Sequence, residues 1–306
     1  MSPEISVILP ARDAQATLPR ALAALSAQSL GAPFEVIVVD AGSSDRTAEI
    51  ARDSGANVID AGPLGPAEAR NRGAAAAQAD RLVFTDADCF PEPDWLVAGL
   101  RALEGAVLVQ GAVRPDPDAT VGPFDRFVSV GAEIGLYETA NLFVRRDTFE
   151  RAGGFEEWLH PTIGPPHMAE DLHFGWKVRR SGAPTAYCAA AVVNHAVFER
   201  DAGEFVAEYR RRRYFADIAR EVPELRREFF FARLFLSRQT AAFDLALLSL
   251  VMAASRRSAL PLVGVGPYLA GLRGRGARVS AVQAVADAVG CWSLVLGSVR
   301  CRTPVL

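Results

Sequence analysis

The sequence predicts an α/β protein: a mostly parallel central sheet within residues 1–200, followed by a C-terminal helical region over residues 201–306. Three observations carry this. Short apolar runs rich in β-branched residues alternate with stretches whose apolar residues recur at helical spacing. One run, Leu82-Val83-Phe84, is apolar throughout, as in a strand covered on both faces. From Asp201 onward the composition changes to arginine-rich and apolar segments.

The elements follow in order. Ile5–Leu9 is a strand ending at Pro10, and Leu18, Ala21, Leu22 and Leu25 mark a helix with Thr17 as its N-cap. Glu35–Val39 is the next strand, and Asp45 caps a helix through Ala51 that Ser54-Gly55 ends. Asn57–Ile59 is a third strand, a helix starts near Pro66, and Leu82–Phe84 is a fourth strand. Ala106–Val113 and Asn141–Val144 read as strands, with a helix near Phe124–Glu133 between them. Gly153–His167 holds three Pro, three Gly and two His, an irregular length typical of lids and binding loops. Ala169–Ser181 is a helix, and Thr185–Val193 a final strand leading to His195. Beyond it, Glu204–Arg220 and Glu224 to about Ser255 read as helices, followed by apolar stretches at Ala259–Leu272 and Ala281–Val299.

At 306 residues, half of them apolar and 23% charged, the chain has ample core and none of the bias of disorder. The net charge of −3 hides an asymmetry: residues 201–306 hold 16 Arg against 9 Asp and Glu, about +7, which leaves about −10 for residues 1–200. That excludes a continuous basic nucleic-acid face and points to a C-terminal region that meets an anionic surface such as membrane phosphates. Cys89, Cys188, Cys291 and Cys301 lack zinc spacing and disulfide-scaffold density, so they read as reduced thiols. The N-terminal residues run straight into a strand with no signal-peptide pattern, which places the expectation in the cytoplasm.

In a parallel sheet ligands collect beyond the carboxyl ends of the strands. There the chain puts Pro10-Ala11-Arg12-Asp13, Asp40-Ala41-Gly42-Ser43-Ser44-Asp45 and Asp86-Ala87-Asp88. Asp86 and Asp88 are hard carboxylates one residue apart, suited to hold a divalent cation against two phosphate oxygens. Asp-x-Asp alone also describes a solvated turn; the buried strand before it favours the site. Asp40 can accept from a base N–H or ribose hydroxyl, and Arg70 can fork onto a base carbonyl or phosphate. Glu170-Asp171, opening a helix, offers a base, Asp171, for an acceptor hydroxyl and a neighbour, Glu170, that orients the site or binds acceptor. His195 is a candidate metal ligand or a structural histidine. Glu138, Thr139 and Asn141 enter a strand beside the active edge and read as acceptor-lining, and Trp158, His160 and His167 sit on the irregular loop that could close over substrate.

As an ordered set, Pro10-Ala11-Arg12-Asp13, Val38 through Thr47, Ala69-Arg70-Asn71-Arg72-Gly73, Thr85-Asp86-Ala87-Asp88, Gly153-Gly154-Phe155 and Glu170-Asp171 resemble the motifs of glycosyltransferase family 2 over about residues 5–200. The resemblance implies a GT-A fold, a nucleotide-diphospho-sugar donor (UDP first, GDP or dTDP as alternatives), Mn or Mg, and inversion at the anomeric carbon. By position it implies Asp40 and Arg70 at the nucleotide, Asp86 and Asp88 at diphosphate and metal, and Asp171 as catalytic base. Asp13 stands where Glu often follows Asn, and Ala41 replaces a frequent second Asp, so the base stays open.

The expected reaction is inverting transfer to a glycan or lipid-linked acceptor at the inner face of the plasma membrane. Two other classes compete: a nucleotidyltransferase, whose Gly-rich basic loop is missing from Pro10–Ala14, and a nucleotide-sugar-binding protein without turnover. None of the C-terminal stretches reads as a clean transmembrane helix. Asp244 interrupts the first at a cost of about 2.5–3.5 kcal/mol at mid-membrane, Pro261 and Pro267 break the second, and Asp287 lies in the third. The expectation is interfacial helices on a membrane surface, against an ordinary helical cap.

Overall fold

In a computed structural model, which describes residues Ser2–Gly164 and Met168–Leu306, eight strands form one mixed sheet. They are β1 (Ile5–Ala11), β2 (Phe34–Asp40), β3 (Asn57–Asp60), β4 (Arg81–Phe84), β5 (Cys89–Pro91), β6 (Leu108–Pro115), β7 (Leu142–Arg145) and β8 (Thr185–His195), in the order β3-β2-β1-β4-β7-β6-β8-β5. The first four strands are mutually parallel, with Ala11 opposite Asp40 and Ile8 opposite Phe84. Strand β7 enters antiparallel between β4 and β6, β6 and β8 are parallel, and β5 runs antiparallel to β8.

The helices are α1 (Leu18–Ser26), α2 (Thr47–Asp53), α3 (Pro66–Ala76), α4 (Trp95–Glu104), α5 (Arg146–Arg151), α6 (Glu170–Arg180), α7 (Ala202–Glu208), α8 (Phe215–Glu221), α9 (Leu225–Glu228), α10 (Arg238–Arg256), α11 (Gly266–Leu272) and α12 (Ala277–Cys301). The chain folds as two compact units. One comprises the residues up to Gly122, Arg126–His160 and the segment ending at Phe198; the other is Glu199–Leu306 with Pro123–Asp125 and the short segment beginning at Pro161.

In the first unit, apolar strand residues set the core: Ile5, Val7, Ile8 and Leu9 of β1 are wholly buried, each contributing about 1.5–3 kcal/mol. Two glycines let helices approach the sheet. A Cβ on Gly73 of α3 would lie 2.4 Å from the Ile8 side chain, and one on Gly99 of α4 would lie 2.1 Å from the Phe143 ring. The β6/β8 pairing shifts register between Gly111 and Ala112. Asn141 fills that irregularity: its Nδ2 donates to Ala112 O and Ala191 O, both at 2.8 Å, and its Oδ1 accepts from Trp95 Nε1 at 2.8 Å. Both amide hydrogens and the amide oxygen are thus engaged, and a side chain at Gly111 would collide with the amide.

Several local expectations are corrected. The segment Phe124–Glu133 forms no helix; it is irregular chain held by bridges of Val130 to Val113 and Arg126 to Phe198. Thr17 stands at the α1 cap position, but its hydroxyl faces Ala14 O instead of a helix N–H. Arg46, not Asp45, stands at the α2 cap position; Asp45, one residue earlier, accepts from Thr47 N at 2.9 Å and turns the chain into the helix. Strand β5 and helices α4 and α5 follow segments that the periodicity did not single out. Asn141 lies in a short 3-10 turn before β7 rather than in the strand.

In the second unit, the helix expected over Glu204–Arg220 is α7 and α8 joined by a 3-10 turn, Tyr209–Tyr214. The one expected over Glu224–Ser255 breaks into α9, a turn with positive φ at Ala232 and Arg233, and α10. Capping boxes Asp201/Glu204 and Ser237/Thr240 start α7 and α10. Helix α12 packs on the Tyr209–Tyr214 turn through Gly290 and Gly297, seven residues apart on one face; a Cβ at Gly297 would lie 2.0 Å from Arg213 O.

Candidate active site

The carboxyl ends of β1 and β2 are laced together. Ala41 N donates to Ala11 O at 2.8 Å, and Asp40 Oδ1 accepts from Ser43 N at 3.2 Å and from the Ser43 hydroxyl. Asp13, in the left-handed region at φ 49°, accepts from Ser44 N at 2.8 Å while its own N–H donates to Ser43 Oγ at 3.0 Å. Gly42 turns the loop at φ 81°, where a Cβ would meet Pro63 N at 2.9 Å. The result is a ledge on which Pro10 is half-buried, Ala11 and Asp40 are buried, and Arg12 is exposed beside Asp13.

Beyond β4, the buried Thr85 hydroxyl donates to Ala140 O at 2.9 Å and fixes the turn carrying Asp86, Ala87 and Asp88. Arg70, from α3, is 5% exposed and spans two acids: Nη2 donates to Asp86 Oδ1 at 2.7 Å and Nη1 to Glu170 Oε1 at 3.0 Å. With both terminal nitrogens engaged, Arg70 is placed to organise the acids.

Asp171 follows Glu170 at the first turn of α6. Its Oδ1 accepts from Leu172 N at 2.7 Å and its Oδ2 from Thr139 N at 3.3 Å. Asp86, Asp88, Glu138 and Asp171 are all partly exposed, whereas Glu170 is buried. So many carboxylates in little water compete for protons. Burial, then the charges of Asp86 and Glu170, push Glu138 up to about 7, against Arg70 and a hydrogen bond with Asp171. Burial, then Glu138 and Glu170, hold Asp171 well above the usual carboxylate range.

Asp88 faces His195, with Oδ2 3.7 Å from Nε2. His195 Nδ1 lies 2.6 Å from Ala196 O, and a carbonyl only accepts, so Nδ1 carries a hydrogen and Nε2 is the ring nitrogen turned towards Asp88. A carboxylate oxygen and a ring nitrogen thus face one spot, both able to serve as ligands to a cation placed between them. Burial, then Asp86, raises the Asp88 carboxyl, and His195 opposes this. Ligand atoms of Asp88, Cys89 and His195 lie within 4.8 Å of one another. Burial keeps the Cys89 thiol protonated, so oxygen and imidazole are the competent donors, a set that suits Mn or Mg.

Of the acceptor candidates, Glu138 and Thr139 adjoin Asp171. Asn141 is wholly buried at the β6/β8 irregularity, with both amide hydrogens donated and its amide oxygen accepting from Trp95. Trp158 is partly buried, and its Nε1 donates to Ala169 O at 3.0 Å, bracing the residue that precedes α6. Ala169 is itself left-handed at φ 66°. His160 is exposed, and His167 lies outside the described residues.

The family profile described as Glycosyl transferase family 2 matches residues 6–158, half of the chain. The chain belongs to glycosyltransferase family 2. Among curated relatives of this family, the glycosyltransferase AglE of Haloferax volcanii is 32% identical over 198 residues, 59% of this chain and 62% of AglE, so the chain spans about three-fifths of that relative's length. The fold is that of the mannosyltransferase PcManGT from Pyrobaculum calidifontis, solved with GDP-Man and Mn2+ (TM-score 0.59, 20% identity, covering 99% of this chain and 88% of that one). S. aureus TarS with UDP-GlcNAc is a second structural neighbour (TM-score 0.51, 17% identity, 98% and 92% covered). The α/β sheet described above is thus a GT-A sheet.

Two members of this family 2 site escaped the sequence reading. Cys89 packs beside Asp88 and His195 because β5 pairs with β8, placing Cys89 opposite His195, and β5 is three residues long, too short to show a period. Thr85 directly precedes Asp86-Ala87-Asp88, but its bond to Ala140 depends on β7 entering next to β4.

Proposed function

We propose that the protein is an inverting, metal-assisted glycosyltransferase that moves a sugar from a nucleotide-diphospho-sugar to a hydroxyl of a glycan or lipid-linked acceptor. The reading rests on one observation: Arg70 joins Asp86 to Glu170, so the Asp-x-Asp turn and the Glu170-Asp171 helix start share one cleft. Pro10, Ala11, Arg12 and Asp40 form the ledge for the nucleotide, with UDP favoured and GDP or dTDP as alternatives. Asp86, Asp88 and His195 would hold Mn or Mg, which when bound offsets the negative charge on the leaving diphosphate.

Asp171 removes the acceptor hydroxyl proton. The oxygen attacks the anomeric carbon on the face opposite the diphosphate. The bond from that carbon to the phosphate oxygen breaks with its electron pair leaving on the nucleoside diphosphate, so configuration inverts. Glu138 lies against Asp171, holding the pair's shared proton when no acceptor is engaged, and Thr139 donates its N–H to the base. Glu170 fixes Arg70, and Trp158 steadies the α6 start beside the acceptor. The reaction is placed at the cytoplasmic face of a membrane, where a lipid-linked acceptor is presented.

Thermal stabilisation of the full chain by UDP-, GDP- and dTDP-sugars, each with and without Mn, tests the donor site. The best donor is then incubated with lipid-extract acceptors, and the product's anomeric configuration is read by NMR. Metal-independent binding, or a product that retains configuration, would overturn this reading.

A further inference from the structure

Helices α10 and α12 are polar inside and apolar outside. The buried residues of α12 include Gln283, Asp287, Gly290, Ser293 and Gly297, and those of α10 are Thr240, Ala246 and Ser249. Asp287 is 2% exposed and accepts from Gln239 Nε2 at 2.9 Å and from the Tyr268 hydroxyl at 3.1 Å, with Arg212 Nη1 3.8 Å away. On the outside, every described large hydrophobic residue that is more than half exposed, anywhere in the protein, lies between Leu248 and Val299. Leu260 at 81%, Val263 at 78%, Val299 at 74% and Trp292 at 64% are the extremes. A helix that meets water has the reverse pattern, whereas small and polar residues between helices with apolar residues outward is the pattern of helices that meet lipid.

The charges on this surface have one sign. From Leu245 to Leu306 the chain carries seven arginines and a single acid, Asp287. All seven arginines are exposed, and the acid is the buried one. Helix α12 has 25 residues, and an 18-residue stretch of it with a mean hydropathy of 1.6 makes it long and apolar enough to cross a bilayer by length and composition.

We infer that the outer face of Leu245–Arg302 is a lipid-binding surface: its leucines and valines enter the hydrocarbon of a bilayer, Trp292 sits at headgroup level, and its arginines bind the phosphates of anionic lipids. Charge complementarity selects this occupant. A second copy of the same face would bring arginines against arginines with no exposed acid to pair them, whereas an anionic leaflet supplies a phosphate for each. Trp292 and the arginines beside apolar helices match the groups that settle at headgroup level. The inference gives residues to the membrane placement proposed above and is independent of the catalytic assignment.

The test is flotation of the full chain with phosphatidylcholine vesicles containing about 30% phosphatidylglycerol, and with phosphatidylcholine alone. The chain is expected to float with the anionic vesicles. Leu260→Asp with Val263→Asp, both on the surface, should lower partitioning at least about tenfold. Arg256→Gln, Arg273→Gln and Arg278→Gln together should lower it roughly a hundredfold on anionic vesicles and little on neutral ones. Circular dichroism and nucleotide-induced thermal stabilisation, unchanged in both variants, keep folding and the donor site out of the comparison. A folded chain that stays unbound to anionic vesicles at low salt overturns the inference. So does a dimer, detected by light scattering, that the aspartates split without any vesicle binding.

Discussion

Arg70 Nη1 donates to Glu170 Oε1 at 3.0 Å across one hundred residues of sequence, and the same guanidinium holds Asp86 through Nη2. Glu170 immediately precedes Asp171, so one buried cation fixes the spacing between the Asp-x-Asp turn and the proposed base. Burial lowers the arginine's proton affinity, but Asp86 and Glu170 outweigh it and leave the group raised and permanently charged.

Replacing Arg70 should therefore damage folding and chemistry together. Arg70→Met strands two carboxylates against the core, and breaking a buried pair from one side costs about 3–5 kcal/mol. Urea unfolding should register that loss. Arg70→Lys keeps the charge but cannot fork to both acids, so it should recover part of the stability and little of the transfer rate.

The Glu138–Asp171 pair predicts a pH signature. Glu138 is raised from 4.5 to about 7 in the folded chain, so the folded state binds the extra proton. Its contribution to stability is complete below about pH 4.5 and is lost as pH rises through about 7, a change on the order of 2 kcal/mol. Glu138→Gln should abolish that decline, leaving the variant more stable than the parent at pH 8. Thermal unfolding between pH 5 and pH 8 (roughly the window of the shift) checks it; parallel curves for parent and variant would contradict the shared proton. In the same window Asp171→Asn should abolish transfer while donor affinity changes by no more than a few fold.

The closeness of Asp88 and His195, 3.7 Å apart, predicts that donor binding depends on metal through both residues. Asp88→Ala should remove the Mn-dependent part of nucleotide stabilisation. His195→Ala should weaken apparent Mn affinity about 10–100-fold, and chelation should bring the parent to the level of the Asp88 variant. Titration calorimetry with Mn and a nucleoside diphosphate separates these cases, and equal Mn affinity in the His195 variant would leave that imidazole a structural role.

Much of this architecture was legible from period and position. Strands β1 to β4 and their loops could be placed because apolar runs and loop acids follow the parallel α/β rule. What could not be read were features set by pairing. Strand β5 is three residues long, and β7 enters antiparallel, so neither Cys89 beside His195 nor Thr85 against Ala140 leaves a local trace. Asn141 has the composition of a ligand-binding residue, yet the β6/β8 register shift consumes its amide. The Phe124–Glu133 stretch has helical spacing, but bridges to β6 and to Phe198 override it. In the C-terminal unit, polarity was legible and direction was not: the inward turn of Asp287 depends on Tyr268 and Gln239.

Trp158 yields a prediction that separates positioning from binding. Its indole N–H donates to Ala169 O, and Ala169 holds a left-handed conformation that an L side chain adopts at a cost of about 1–3 kcal/mol. Asp171 begins two residues later, so the indole steadies the backbone from which the proposed base projects. Trp158→Phe keeps a ring against His173, 5.5 Å away in the parent, and removes only the donor. The expected result is a fall in kcat of about tenfold or more, since one lost buried hydrogen bond is worth about 0.5–1.5 kcal/mol and misplacing the base adds to it. Donor affinity should stay within a few fold. Were the main effect instead a raised KM for acceptor with kcat intact, the indole would be touching substrate rather than holding Ala169, because a hydrogen bond to the backbone of α6 acts on the base and not on acceptor affinity.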